Sequence, residues 1–177
     1  MESLQSQTAE FEDVWTRKME MYRFFNEKSE ETDFEKNIRR MEKNNPYYEV
    51  FHVEEYFLTA FEYGKKTYFG EEFDYIHNYL KGIATKDIFD LVLLNDKTVA
   101  IIEVKYKFQE KNIPTLLKKA ETFGMNFVHY KDHRVYLGLA SMAFYPELEQ
   151  ACIDSGIAII KQVGDKVVIN DKHLKVF

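Results

Sequence analysis

Two carboxylates and two ammonium groups stand where a folding chain usually avoids charge. Asp90 near one end, and Glu103, Lys105 and Lys107 toward the other, bracket the stretch FDLVLLNDKTVAIIEVKYK, residues 89–107, whose interior is almost wholly apolar. Runs such as LVLL and VAII suit strands covered on both faces. Charge on such strands is costly unless it is paired or used. With Asp96 and Lys97 at the centre of the turn, an antiparallel pair sets opposite one another residues whose numbers sum to 193, and Asp90 then faces Glu103. Facing Cβ atoms lie about 4.5–5.5 Å apart. Strand period two puts Lys105 on the face of Glu103. A loop one residue longer would throw Asp90 to the other face.

Carboxylates that close repel, and the pKa of one rises. A divalent cation removes the conflict. Oxygen donors without a cysteine or a nearby histidine suit Mg²⁺ or Mn²⁺ over zinc. Such a cation leaves positions for phosphate oxygens and for a water that it makes more acidic. Lys105 could orient that water or neutralise charge developing on the phosphate. The two lysines differ in reach: at about 3.3 Å per residue, Lys105 starts roughly 7 Å from Glu103 and Lys107 roughly 13 Å. The bland alternative is a solvated strand face with cross-strand ion pairs, Asp90 capping the turn or pairing with Lys105.

These side chains need elements to hold them. Residues 47–63, YYEVFHVEEYFLTAFEY, form a helix with Val50, Val53, Phe57 and Phe61 as its apolar stripe and Gly64 placed to cap its end. Glu54 falls inside that stripe and Glu55 toward its edge. A strand is expected around 73–80, followed by the two strands of the charged stretch. NIPTLLKKAETFGMNFVHY is a helix with Pro114 in its first turn and Leu116, Leu117, Ala120, Phe123 and Phe127 on its buried face. RVYLGLASMAF is an apolar strand. YPELEQACIDSG is a short helix between Pro146 and Gly156, and IAIIKQVGDKVVIN closes as two strands about a Gly-Asp turn. The economical architecture is α/β, a mixed sheet flanked by helices. Ahead of it, residues 1–46 form a separate helical segment. Phe11, Trp15, Met19, Tyr22 and Phe25 recur at helical spacing over 4–28, and TDFE at 32–35 fits a capping box before a second helix bearing Phe34, Ile38 and Met41. That front either packs as a helical hairpin or pairs two chains as a coiled coil, a route to a homodimer.

The chain has 177 residues, 45% hydrophobic and 16% aromatic, with 7 glycines and 3 prolines, a composition for regular structure and against disorder. Its single cysteine, Cys152, excludes an internal disulfide and a cysteine zinc cluster, and reads as an inert core thiol. His129 and His133 flank YKD and read as helix-end residues; His52, His77 and His173 form no grouping. The start, MESLQSQTAEFEDVW, has no signal-peptide run, and no apolar stretch reaches membrane-spanning length, so a cytoplasmic protein without membrane attachment is expected. The net charge of −6 does not announce a nucleic-acid partner, but residues 97–134 carry eight basic and four acidic groups. Lys107, Lys111, Lys118 and Lys119 are the candidate phosphate contacts of that segment.

Asp90, a turn, an apolar strand and then Glu103-Val104-Lys105 resemble the signature of the PD-(D/E)XK, or restriction-endonuclease-like, nuclease superfamily. The resemblance covers residues from about 47 to 160, and the order of elements matches its α-β-β-β-α-β core. It implies that Asp90 and Glu103 hold Mg²⁺ or Mn²⁺, that Lys105 is the catalytic lysine, and that the substrate is a phosphodiester, most naturally in DNA. In many members a glutamate on the first core helix supports the metal; of the two candidates, Glu54 is preferred over Glu55. Phe89 stands where the pattern has proline, a common variation, and the acidic surface departs from a broad duplex binder. The helical front, with EETDFEKNIRR, also resembles the coiled-coil leaders of bacterial proteins bearing such a domain. The alternatives are a silent nuclease fold that binds nucleic acid, or a self-associating interaction protein.

Overall fold

A computed structural model describes residues 48–64, 67–163 and 166–177. The expected N-terminal helices, and the coiled coil drawn from them, lie outside the described residues. Helix α1 runs Tyr48–Glu62. A hairpin of two-residue strands follows, β1 (Thr67–Tyr68) and β2 (Glu71–Glu72). Six longer strands come next: β3 (Tyr75–Lys81), β4 (Ile88–Leu94), β5 (Thr98–Lys107), β6 (Arg134–Ala143), β7 (Ala158–Val163) and β8 (Lys166–Asn170). Helix α2 (Ile113–Asn126) joins β5 to β6, and α3 (Pro146–Ser155) joins β6 to β7.

The six strands form one mixed sheet in sequence order. β5, β6 and β7 are parallel, because a helix connects each pair; the other neighbours are antiparallel. The chain is therefore α/β, with a six-stranded mixed sheet flanked by helices. On one face Val92, Leu94, Val99, Ile101, Leu137 and Leu139 pack with Ile113, Leu116 and Phe123 of α2 and Leu148 and Cys152 of α3. Alternating with them, Leu91, Leu93, Ala100, Ile102 and Val104 are equally buried. They face the other way, where α1 crosses β5 with Val53, Phe57 and Phe61 buried. Burying each such side chain fully is worth about 1.5–3 kcal/mol. Among the described residues no helix is long and apolar enough to cross a membrane.

Three local expectations need correction. Strand β3 begins two residues late, after the β1–β2 hairpin, which the aromatic, weakly alternating sequence did not announce. The helix expected to reach Tyr130 ends at Asn126, and Val128–Tyr130 is a single 3-10 turn. Phe127 leaves helical geometry (φ −130°, ψ 78°), and its ring lies 5.9 Å from that of Phe89 and 4.9 Å from that of Phe123. Gly64 is not a left-handed cap; a side chain there would run into the Tyr68 hydroxyl, which donates to the Phe61 carbonyl. Gly156 does cap α3 at φ +74°, a conformation glycine adopts freely.

Candidate active site

The turn after β4 sets the site's geometry. Asn95 Oδ1 accepts from the amides of Lys97 (2.9 Å) and Thr98 (2.7 Å), which closes the loop tightly. The ladder from Leu94–Val99 to Leu91–Ile102 then keeps the register in which partners sum to 193. The next pair would be Asp90 and Glu103, and there the backbone ladder stops. In its place the amide of Val104 donates to Asp90 Oδ2 at 2.9 Å. β5 runs on to Lys107, paired along this last stretch with β6.

Asp90 marks a fault in β4. Phe89 packs on the α2 face beside Val92 and Leu94, so strict alternation breaks between 89 and 92. Across the sheet Tyr79, opposite Asp90 by register, drops out of the β3 ladder at φ 53°. That conformation costs a non-glycine residue of order 1–3 kcal/mol. Strand amides lie in the sheet plane, so a carboxylate bound to Val104 N–H lies there too. Asp90 thus fills the gap left in the β4–β5 ladder.

Both faces use the gap. From β5, Lys105 Nζ lies 3.4 Å from Asp90 Oδ2 and 3.2 Å from Glu103 Oε1. From α2, Lys119 Nζ lies 2.5 Å from Glu103 Oε2 and donates to the Ile88 carbonyl at 2.6 Å. From α1, on the opposite face, the half-buried Glu54 carboxyl interacts electrostatically with Asp90, Lys105 and Glu103. Asp90, Glu103 and Lys119 side chains are nearly closed off, whereas Lys105 is 41% exposed and reaches the surface of the cleft.

The charges do not balance locally. Three carboxylates face two ammonium groups. Burial, with the nearby negative charge of Asp90 and Glu103, pushes Glu54 up to about 7 against the pull of Lys105. Asp90 is raised first by burial and then by Glu103, opposed by Lys105, the Val104 amide and Lys119. Burial works against a charged Lys105, but Asp90 and Glu103 overcome it and hold its pKa above the ordinary value.

A cavity of about 370 Å³ opens on the α2 face of this cluster, lined by Glu103, Lys105, Lys107, Asn112, Thr115 and Lys119 among others. A second, of about 510 Å³, shares Lys107 and Phe108 with it and continues past Lys111 to Tyr145. Lys107 does not join the carboxylates: its ammonium sits 6.0 Å from the centre of the Tyr106 ring. Lys111 and Lys118 are exposed. Lys119 is the residue the sequence placed differently. It belongs to the carboxylate cluster and not to an outward row of phosphate contacts. A signal was available, because Lys119 stands three residues after Leu116 and four before Phe123, on the buried stripe of its helix. His129 and His133 bind nothing in common, and among the described residues no group of three or more His, Cys, Asp or Glu converges to enclose a metal ion. Cys152 is buried and free, its thiol pushed up to about 12 by burial and then by Glu149. Comparison of the chain with protein-family models, with curated proteins and with solved structures finds no match.

Proposed function

We propose that residues 47–177 form a metal-dependent nuclease domain of the PD-(D/E)XK, restriction-endonuclease-like kind that hydrolyses phosphodiester bonds, most naturally in DNA. The observation that carries this reading is the convergence of Asp90, Glu103 and Lys105 on one ammonium-centred cluster at the end of the β4–β5 ladder. Ordinary strand charges sit on a solvated face. These sit where the β4–β5 ladder breaks, beside a cavity and next to the strained Tyr79 of the neighbouring strand β3.

The donors suit Mg²⁺ or Mn²⁺. All are carboxylate oxygens, and Mg²⁺ is commonly held by only one or two carboxylates together with water and substrate phosphate. Glu54 and Asp90 are held above their ordinary pKa values by burial and by neighbouring carboxylates, and a cation there would relieve that repulsion. Bound at such a site, the cation would polarise a phosphate and lower the pKa of a water. Asp90 and Glu103 would hold it, and Glu54 would add negative charge from the far face of the sheet. Lys105, fixed by both carboxylates yet open to the cleft, orients the attacking water or meets charge building on the phosphate. Lys107 and Lys111, along the two neighbouring cavities, and Lys118 on the helix surface would bind flanking phosphates.

A second reading, a nuclease fold that binds nucleic acid without cutting it, draws on Lys119, which already occupies the second oxygen of Glu103. Cleavage of plasmid, linear and single-stranded DNA, and of RNA, with Mg²⁺ or Mn²⁺ decides between them. Cutting that Asp90→Asn abolishes supports the enzyme. Binding without cutting by the wild-type chain, at every metal concentration, supports the silent module.

A further inference from the structure

Lys119 has no task in the nuclease reading, although its placement is among the most constrained in the cluster. Its side chain is 11% exposed, in the apolar stripe of α2 between Leu116 and Phe123. Its ammonium contacts Glu103 Oε2 and the Ile88 carbonyl and lies 5.8 Å from the centre of the Phe89 ring. We infer that Lys119 is a built-in competitor for the cation: it neutralises Glu103 before a metal binds, and the incoming metal must take that carboxylate from it. This inference rests on the proposed metal site and deepens it by naming what sets the site's metal affinity.

The argument is one of charge and of remaining partners. Glu103 divides its two oxygens between two lysines, Oε1 to Lys105 and Oε2 to Lys119. A divalent ion drawing on Glu103 meets a fixed positive charge at contact distance from one of its ligand atoms. In a partly buried site such repulsion is far stronger than in water. Lys119 can give up Glu103 without being stranded, because the Ile88 carbonyl and the Phe89 ring keep it docked. Lys105, bound to both carboxylates and open to the cleft, has neither of these backbone and ring contacts.

Lys119→Met removes the charge and keeps the apolar stem; Lys119→Gln removes the charge and keeps a donor for Ile88; Lys119→Arg keeps the charge. Mn²⁺ binding to the full chain is measured by the loss of the free-ion resonance signal, with no substrate present. Expected is at least a tenfold lower Kd for Met and Gln than for wild type, with Arg close to wild type. The Mg²⁺ concentration for half-maximal cleavage should fall in the same order. Folded Met and Gln variants that bind Mn²⁺ no more tightly than wild type would overturn the inference while leaving the metal site standing, and Lys119 would then be a structural pin. If neither Met nor Gln folds, Lys119 belongs to the framework and the inference fails in the same way. If no form, wild type included, binds Mn²⁺, the metal reading itself falls and takes this inference with it.

Discussion

The two ends of the β4–β5 pair each carry a carboxylate clasped by a cation, and they are built on opposite logic. At the turn end, Glu71 receives Arg134 Nη2 at 2.6 Å, the Tyr136 hydroxyl at 3.3 Å and Asn95 Nδ2 at 3.3 Å. Burial alone would raise its pKa, but hydrogen bonds from Thr98 and Asn95, the charge of Arg134 and the Tyr136 hydroxyl together hold it below the ordinary value. At the open end, burial and mutual repulsion raise Glu54 and Asp90. The first cluster is satisfied, and it ties the β1–β2 hairpin to the main sheet. The second is left short of positive charge. Glu71 is a carboxylate that the fold stabilises, whereas Glu54 and Asp90 are held at a cost, and the proposed metal site draws on the second kind.

The largest effects should fall on activity at the open end. Asp90→Asn and Lys105→Ala should each lower single-turnover cleavage at least about 100-fold, and Lys105→Ala should leave nucleic-acid binding in Ca²⁺ nearly intact. Asp90→Asn should not lower Tm, since it removes a charge the fold raises in energy. A fall in Tm with cleavage retained would make the two ends alike. Next comes the turn end. Arg134→Ala strips Glu71 of its cation; with Arg134 itself half exposed the loss should be about 1 kcal/mol, or 2–4 °C in Tm for a chain of this size. Cleavage at a temperature well below Tm should not change.

The two ends should also respond oppositely to pH in metal-free buffer. Glu54 binds its proton more tightly folded than unfolded, so its contribution is fully present below its ordinary value of 4.5 and is lost as pH rises toward about 7. Glu71 is depressed, so its contribution is present above its ordinary value and lost as pH falls through the lowered one. Urea unfolding between pH 3 and 8 should therefore show Glu54→Gln flattening the decline on the neutral side, and Glu71→Gln flattening the decline on the acid side. Mn²⁺ should shrink the first slope and leave the second alone. The smallest effect belongs to Lys107→Ala, which should weaken nucleic-acid binding without sequence preference and reduce the salt slope by about one unit. Loss of chemistry in Lys107→Ala with Lys105→Ala active would show that the strand face has been assigned to the wrong lysine.

Much of this was legible because it depends on near neighbours along the chain. The turn residues set the register of β4 on β5 and so carry Asp90 to the end of the ladder beside Glu103, and the rise along β5 separates Lys105 from Lys107. Helix periodicity placed Glu54 on the buried side of α1, and proline and glycine marked the ends of α3. The same periodicity carries Lys119 in the stripe of α2, but a lysine's long flexible stem lets its ammonium reach solvent from such a position, so only the meeting with Glu103 and the Ile88 carbonyl fixes it in the cluster. Other features depend on contacts between distant segments. Glu71 meets Arg134 and Tyr136 across more than sixty residues, and no local pattern in the hairpin shows it. Strand alternation assigns a residue to one face, so it could not show Asp90 lying in the plane of the sheet, where Glu54 from α1 and Lys119 from α2 reach one cluster from opposite sides. The types of the clustered groups and their order are properties of the chain. Their meeting point, and the imbalance of charge held there, exist only once two helices close over the two faces of a sheet whose ladder has been interrupted.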